Sequence, residues 1–248
     1  MQTIHVPRID ARYWAGITMA SVFGTNTGDW FAFRSGLGIL GGIPILAAII
    51  AVAFFLERRD TTRHEAWYWL AIILIRTGAT NIADFACGSL GIDRVLFSTA
   101  LALGIAGLVF MQRKNNDRPG LPTTNTNYWI TMLGAGVFGT AAGDAVLFAL
   151  DGPRFLGGVC ASILMSAILA MLLLFGRGGR IQTLYYSWLT ICVARTAGTV
   201  IADVLAENAT LNIGLARSTI ITGIAFVAVL VLWKSHPLEQ GSAAKSSA

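Results

Sequence analysis

Long apolar blocks alternate with short polar segments along the whole chain, and there are eight of these blocks. An α-helix needs about 20 predominantly apolar residues to cross the hydrocarbon core of a bilayer, and each block is long enough to do so. Since lipid offers no hydrogen-bond partners, a spanning segment must satisfy its own backbone, which favours a helix for every block. The predicted spans are 13–33, 36–56, 66–88, 94–112, 127–150, 155–175, 182–206 and 213–233.

Composition and charge favour a membrane protein over a soluble one. Of the 248 residues, 55% are apolar and 12% are charged, whereas soluble domains carry roughly 25% charged residues. The net charge of +5 does not indicate a nucleic-acid partner, because the basic residues lie in short loops between apolar blocks. The three cysteines lie inside apolar blocks and the three histidines in loops or tails, so no disulfide framework and no cofactor are predicted. Whether a metal ion binds is left open.

The loops are of two kinds, and their alternation predicts the orientation in the membrane. Twelve lysines and arginines lie before the first span, after the last span or in loops that follow even-numbered spans, whereas four follow odd-numbered spans. The positive-inside rule places the first set, and with it both termini, in the cytoplasm. Residues 1–12 are polar and lack the apolar core of a cleavable signal peptide. The polar segment 235–248 is predicted to be a disordered cytoplasmic tail.

The odd-numbered spans repeat one polar pattern four times. Each has a tryptophan fifteen residues before an aspartate and a threonine four residues before it, with small residues one and five positions before it. The tryptophans are Trp14, Trp69, Trp129 and Trp188. The threonines are Thr25, Thr80, Thr140 and Thr199, and the aspartates are Asp29, Asp84, Asp144 and Asp203. Tyrosine precedes three of the tryptophans, at Tyr13, Tyr68 and Tyr128. The agreement predicts four tandem repeats of two helices.

The repeats fall into two similar halves. Repeats one and three share Val-Phe-Gly-Thr, whereas repeats two and four share Arg-Thr at Arg76 and Arg195. Because every repeat has an even number of spans, all four point the same way, and their symmetry axis is expected along the membrane normal. The predicted fold is an all-α polytopic membrane protein whose eight transmembrane helices form four tandem helical hairpins with pseudo-symmetry. The predicted segments are 1–12, the halves 13–120 and 121–234, and 235–248.

These features resemble a family of bacterial membrane proteins of unknown function. That family is defined by four tandem repeats, each with two transmembrane helices and a characteristic tryptophan. The four repeat tryptophans named above are their counterparts in this chain. The resemblance covers nearly the whole chain apart from its tails. It implies a multi-pass protein of the bacterial inner membrane, in contact with the lipid bilayer, and it carries no activity with it.

The distinctive residues of each odd-numbered helix lie on one side of it. At 100° per residue, the threonine is about 40° around the helix from its aspartate and the tryptophan about 60°. Arg76 and Arg195 are about 80° away in the same sense, and the small residues about 100–140°. The small residues are typical of a surface where helices pack closely. The tryptophans are typical of an interfacial belt, and the threonines either bond to their own helix or bind a ligand.

The aspartates carry the prediction about function. A carboxylate in the bilayer interior is costly unless it is paired, protonated or hydrated, and four occur here in register. Rings of acids attract cations, and carboxyl chains relay protons. The pattern therefore predicts a small transporter or channel for a cation or protons, with the aspartates and threonines as oxygen ligands. Arg76 and Arg195 are each expected to contact an aspartate, on a neighbouring helix. The substrate is not predicted, and a homo-oligomer is left open.

Two alternatives of other kinds remain, and a third is disfavoured. Arg76 and Arg195 would hold the negative group of an anionic or zwitterionic solute if the chain is a carrier for one. The chain would otherwise be a membrane scaffold or sensor that transports nothing. An intramembrane aspartyl protease is disfavoured, because Asn26 and Ala141 replace the first glycine of its Gly-x-Gly-Asp pattern. No enzyme activity is therefore predicted.

Overall fold

The structure is a computed structural model that describes most of the chain. The described residues are 7, 9–59, 64–114, 125–150, 156–176, 183–207, 211 and 213–233. The predicted tail 235–248, most of segment 1–12 and the boundary between the predicted halves at residues 120 and 121 lie outside them. All of the regular secondary structure in the described part is helical.

Eight α-helices make up this part of the chain. They are α1 (Ala11–Phe33), α2 (Gly38–Arg59), α3 (Glu65–Asp84), α4 (Arg94–Lys114), α5 (Thr126–Leu150), α6 (Leu156–Gly176), α7 (Leu184–Glu207) and α8 (Leu215–Leu232). A π-helical turn, Phe85–Ser89, extends α3. With this turn included, the ends of the predicted spans agree with the helices to within three residues. The eight predicted helices are thus confirmed.

Seven of these helices are long and apolar enough to cross a membrane, and α1 is the exception. Although α1 has 23 residues, its middle and second half hold Ser21, Thr25, Asn26, Thr27 and Asp29. Most of these side chains are buried against other helices, so the polar content of α1 is a feature of the protein interior. The sequence predicts eight membrane spans, and seven of the eight helices have the length and composition of a span.

The four odd-numbered helices form a closed inner ring. Helix α1 packs against α3 and α7, and α5 packs against the same two helices from the other side. Most of the buried residues come from these four helices. The residues that the four repeats share therefore lie on the helices that build the core.

The even-numbered helices form an outer layer that crosses the repeat boundaries. Helices α2, α4 and α6 pack chiefly against α3, α5 and α7, and α8 packs chiefly against α1. Each of the first three outer helices thus covers the inner helix that follows it in the chain, rather than the inner helix of its own hairpin. Helix α8, which has no following helix, covers α1 instead. The outer helices expose large apolar side chains, among them Leu40, Val52, Leu103, Ile163 and Ile224.

Small residues let the inner helices approach closely, as their spacing predicts. A Cβ added at Gly24 or Gly139 would lie 2.5 Å from the Arg76 or Arg195 side chain of the facing helix. One turn further along, Gly28 and Gly143 face Thr80 and Thr199 in the same way, at 2.7 and 2.8 Å. The α1–α3 and α5–α7 contacts are therefore built from matching residues, and the packing interpretation of the small residues is confirmed.

Candidate functional site

Arg76 lies at the centre of the inner ring and joins all four of its helices. Its side chain on α3 is fully buried. Nη1 donates to the Gly136 carbonyl oxygen and to Thr140 Oγ1, both at 2.8 Å on α5. Nη2 donates to Thr25 Oγ1 on α1 and to Thr199 Oγ1 on α7, both at 2.6 Å. Four oxygen acceptors therefore hold the two terminal nitrogens of the guanidinium group.

The repeat threonines gather around this guanidinium group. Three of them accept its hydrogen bonds, and the fourth, Thr80, has its hydroxyl oxygen 3.5 Å from that of Thr140. Thr25 also donates to the Ser21 carbonyl at 2.9 Å, so part of its bonding is within its own helix. The threonine oxygens therefore face a fixed positive charge, and a cation that used them as ligands would have to displace Arg76.

The expected contacts between Arg76 or Arg195 and an aspartate are wrong. Within the described residues, neither guanidinium group forms an ion pair with a carboxylate. The physical reason is distance along the helix axis. Arg76 is about 12 Å from the level of Asp84, and the threonine level is about 6 Å closer. The side chain therefore meets the threonines first.

Arg195 occupies the equivalent position on α7 with far weaker partners. It is also fully buried. Nη1 donates to Ser21 Oγ at 3.2 Å and Nη2 to the thioether sulfur of Met132 at 3.2 Å. Within the described residues, Nε has no hydrogen-bond partner, and the same is true of Nε of Arg76. The two buried arginines also lie within electrostatic range of each other as like charges.

The four repeat aspartates come together beyond the threonines. Each is half-buried, and each lies within electrostatic range of the other three. Glu207, at the end of α7, lies within range of the same group. Asp84 has a buried carboxylate oxygen, Oδ2, with no hydrogen-bond partner in the part of the chain that the structure describes. The acids thus share one end of the ring, although no three acidic, histidine or cysteine side chains among the described residues are grouped closely enough to hold a metal ion together.

One aspartate has a basic partner that the sequence did not indicate. Arg94 Nε lies 3.5 Å from Asp144 Oδ2, and its guanidinium group sits 4.4 Å from the centre of the Phe148 ring. No sequence signal pointed to Asp144, because this pair crosses a repeat boundary, as α4 does when it packs on α5.

Three buried tyrosines form a hydrogen-bonded chain at the opposite end of the ring from the aspartates. The Tyr13 and Tyr68 hydroxyl oxygens are 3.0 Å apart, and those of Tyr68 and Tyr128 are 2.6 Å apart. The repeat pattern contained these tyrosines but assigned no role to them. The fourth repeat has Ser187 at this position.

The tryptophans divide into two classes. Trp69 and Trp188 are buried in the core, whereas Trp14 and Trp129 are half-buried. The indole Nε1 of Trp69 donates to the Glu65 carboxylate at 2.6 Å, and that of Trp188 donates to a side-chain oxygen of Gln112 at 3.1 Å. The interfacial-belt interpretation is therefore wrong for Trp69 and Trp188, which pack inside the protein.

Comparison with known families finds one similarity. The family model described as Repeat of Unknown Function (DUF347) matches residues 12–61 and 186–236. These stretches hold α1 with α2 and nearly all of α7 with α8, which are the first and fourth predicted repeats. The chain is thus similar, in two separate places, to a repeat whose function is unknown. No curated protein and no solved structure matches it.

Proposed function

We propose that this chain is an integral membrane protein that transports a cation or protons, and that its four repeat aspartates form the binding site. The observation that carries the proposal is the cluster itself. One acid from each ring helix lies within electrostatic range of the other three. Such a group of carboxylates is strongly unfavourable unless protons or a cation compensate the charge.

The membrane setting is supported by the distribution of apolar surface. The seven apolar helices and their exposed side chains fit a lipid environment, and the ring gives α1 polar partners, so it spans as the eighth helix. We assign the chain to the inner membrane of a bacterial cell, with four two-helix repeats about an axis along the membrane normal. Both termini face the cytoplasm, and the aspartate cluster lies towards the outer face.

Arg76 favours a carrier over an open channel. A cation entering at the aspartates meets a guanidinium group one helical turn further in, bound by threonines from three helices. Passage along the ring therefore requires the helices to move and the Arg76 contacts to change. Since Arg76 already donates to four acceptors, its use as a ligand for an anionic solute has less support.

Flux measurements in vesicles test this proposal. The purified chain would be reconstituted and assayed with protons, Na⁺, K⁺ and Mg²⁺, with replacement of each repeat aspartate by asparagine. We expect Asp84→Asn to abolish flux while the protein stays folded, since the change keeps the shape and removes the charge. Asp93→Asn is the matched control, because Asp93 is exposed and its carboxylate accepts the Leu96 backbone N–H at the start of α4. Wild-type flux in a folded variant lacking all four aspartates would refute the proposal.

Reporter fusions test the orientation separately. A reporter active only in the cytoplasm should work near Arg59, Lys114 and Arg180 and at both termini, because these sites belong to the basic set of loops. It should fail near Ser35, Ser89, Gly152 and Asn208. A cytoplasmic signal at any of these four sites would contradict the proposed arrangement of eight spans.

A further inference from the structure

Arg195 is a buried cation whose hydrogen-bonding capacity is largely unused. A guanidinium group has five N–H donors, and Arg195 directs two of them at Ser21 and Met132, both at 3.2 Å. Among the described residues, neither Nε of Arg195 nor Nε of Arg76 has a partner. The terminal nitrogens of Arg76, its counterpart on α3, make four bonds of 2.6–2.8 Å to oxygen. The two equivalent arginines therefore differ sharply in how well the protein satisfies them.

Among the described residues, Arg195 also forms no ion pair with a carboxylate. The titratable groups that act on it most strongly are Tyr68, Tyr13, Tyr128 and Cys192. Arg76, by contrast, lies within electrostatic range of three of the repeat aspartates, and its own charge adds repulsion at Arg195. A buried charge without compensation strongly destabilises the folded protein. This part of the core is therefore short of one negative charge.

The position of the Met132 sulfur indicates the size of the missing group. Met132, Ser21 and Arg195 are all fully buried, so the surroundings leave no room for the body of an organic solute. A thioether is a weak acceptor on a flexible side chain, and a chloride ion is close to a sulfur atom in size. The three tyrosine hydroxyls share two hydrogen bonds, which leaves one O–H proton free to donate.

We propose that a halide ion, chloride under ordinary conditions, binds between Arg195 and the tyrosine chain by displacing the sulfur of Met132. The ion would accept from Nη2 and Nε of Arg195 and from one tyrosine hydroxyl. It would supply the negative charge that this end of the ring lacks. The site lies between the middle of the ring and its tyrosine end, away from the aspartates, and does not depend on cation transport.

Thermal unfolding of the purified full-length chain tests the site. The protein would be held in methanesulfonate, an anion too large for the site, and titrated with chloride. We expect a saturable rise in melting temperature, since a ligand of the folded state stabilises it. Met132→Glu should remove this rise, because its carboxylate takes the place of the ion. Met132→Gln, a neutral side chain of the same length, should keep it. Equal melting of the wild type in both salts, or a chloride response in both variants, would overturn the proposal.

A direct measurement covers the case in which Met132→Glu does not fold. Binding to the wild type should broaden the ³⁵Cl resonance, and bromide should reverse the broadening by competition. Arg195→Lys keeps the charge but loses the forked donors. We therefore expect the chloride concentration for half-maximal effect to rise about tenfold, the value of one charge-assisted hydrogen bond. No competed broadening in the wild type, or unchanged chloride affinity in Arg195→Lys, would contradict the assignment.

Discussion

Neutral oxygen atoms, not carboxylates, hold the central arginine of the ring. Arg76 is fully buried, and its terminal nitrogens are satisfied by three threonine hydroxyls and the Gly136 carbonyl. Hydrogen bonds to a charged group are among the stronger ones in proteins, and loss of a partner leaves part of a buried charge unsatisfied. Three of the four repeat threonines are thus tied to the stability of the whole ring.

Thr25→Val tests this at the scale of one residue. The change preserves the shape of the side chain and removes one acceptor from Arg76, so we expect the free energy of unfolding to fall by about 1–3 kcal/mol. Thr27→Val on the same helix is the control, because Thr27 donates to the Phe23 carbonyl of its own helix, and we expect it to change stability by less than about 0.5 kcal/mol. Equal losses in equilibrium unfolding of the two variants would contradict the assigned role of Thr25.

The sequence predicted which residues share a helix face but not how they pair. Periodicity gives the side of a helix on which Asp84, Thr80 and Arg76 lie, and the structure places them together in the ring core. It does not give the rotation and height of one helix relative to the next, and these decide whether Arg76 meets an aspartate or a threonine. The ion pair between Arg94 and Asp144 was missed for the same reason, because it depends on which outer helix covers α5.

At the scale of elements, close approach of helix pairs depends on single glycines. Gly139 on α5 faces Arg195 on α7, and an added Cβ would lie 2.5 Å from the Arg195 Cβ and 2.8 Å from its backbone carbonyl carbon. Backbone atoms cannot move aside as a flexible side chain can. Any larger residue at this position must push the two helices apart.

Gly139→Ala is therefore expected to destabilise the protein by about 1–3 kcal/mol, as overpacking of a core does. Gly78→Ala on α3 is the matched control, since an added Cβ there meets nothing within 4 Å. We expect that variant to gain up to about 1 kcal/mol, because alanine favours a helix over glycine. Thermal unfolding of both variants measures the difference, and a stable Gly139→Ala protein would show that α5 and α7 are not in close contact.

The limits of the helices followed from the sequence, whereas their packing partners did not. Apolar blocks and polar loops mark where a helix such as α4 begins and ends. Short loops suggest that α3 packs with α4 as a hairpin, yet α4 lies mainly on α5. The choice depends on which groove between inner helices fits the outer helix, and one-dimensional periodicity contains no information about grooves.

At the scale of the molecule, the two ends of the described chain lie side by side. Helix α8 packs on α1, and Arg12 Nη2 donates to the Leu230 carbonyl oxygen at 2.9 Å. The arrangement of helices is therefore closed, because the last helix packs on the first. Matching contacts in the α1–α3 and α5–α7 pairs indicate that either half provides the same surfaces to the other.

A circular permutant tests this closure. It would join residue 233 to residue 10 through a short linker and open the chain between residues 114 and 125. We expect it to fold with a melting temperature within a few degrees of the wild type, because every helix keeps its neighbours. A protease site in the same loop, cleaved after folding, controls for the effect of opening it. Aggregation of the permutant beside a stable cleaved protein would argue against contact between α1 and α8.

The polar character of α1 has a consequence for the order of assembly. On the proposed membrane topology, α1 is made first and is the least suited of the eight helices to lipid, since it holds Asn26 and Asp29. The helices that shield it are α3, α7 and α8, and two of these are the last to be synthesised. The first helix made therefore depends on the last for its final environment. Chains interrupted before α7 should leave α1 exposed to quality-control proteases, which makes completion of the ring a checkpoint in the biogenesis of the protein.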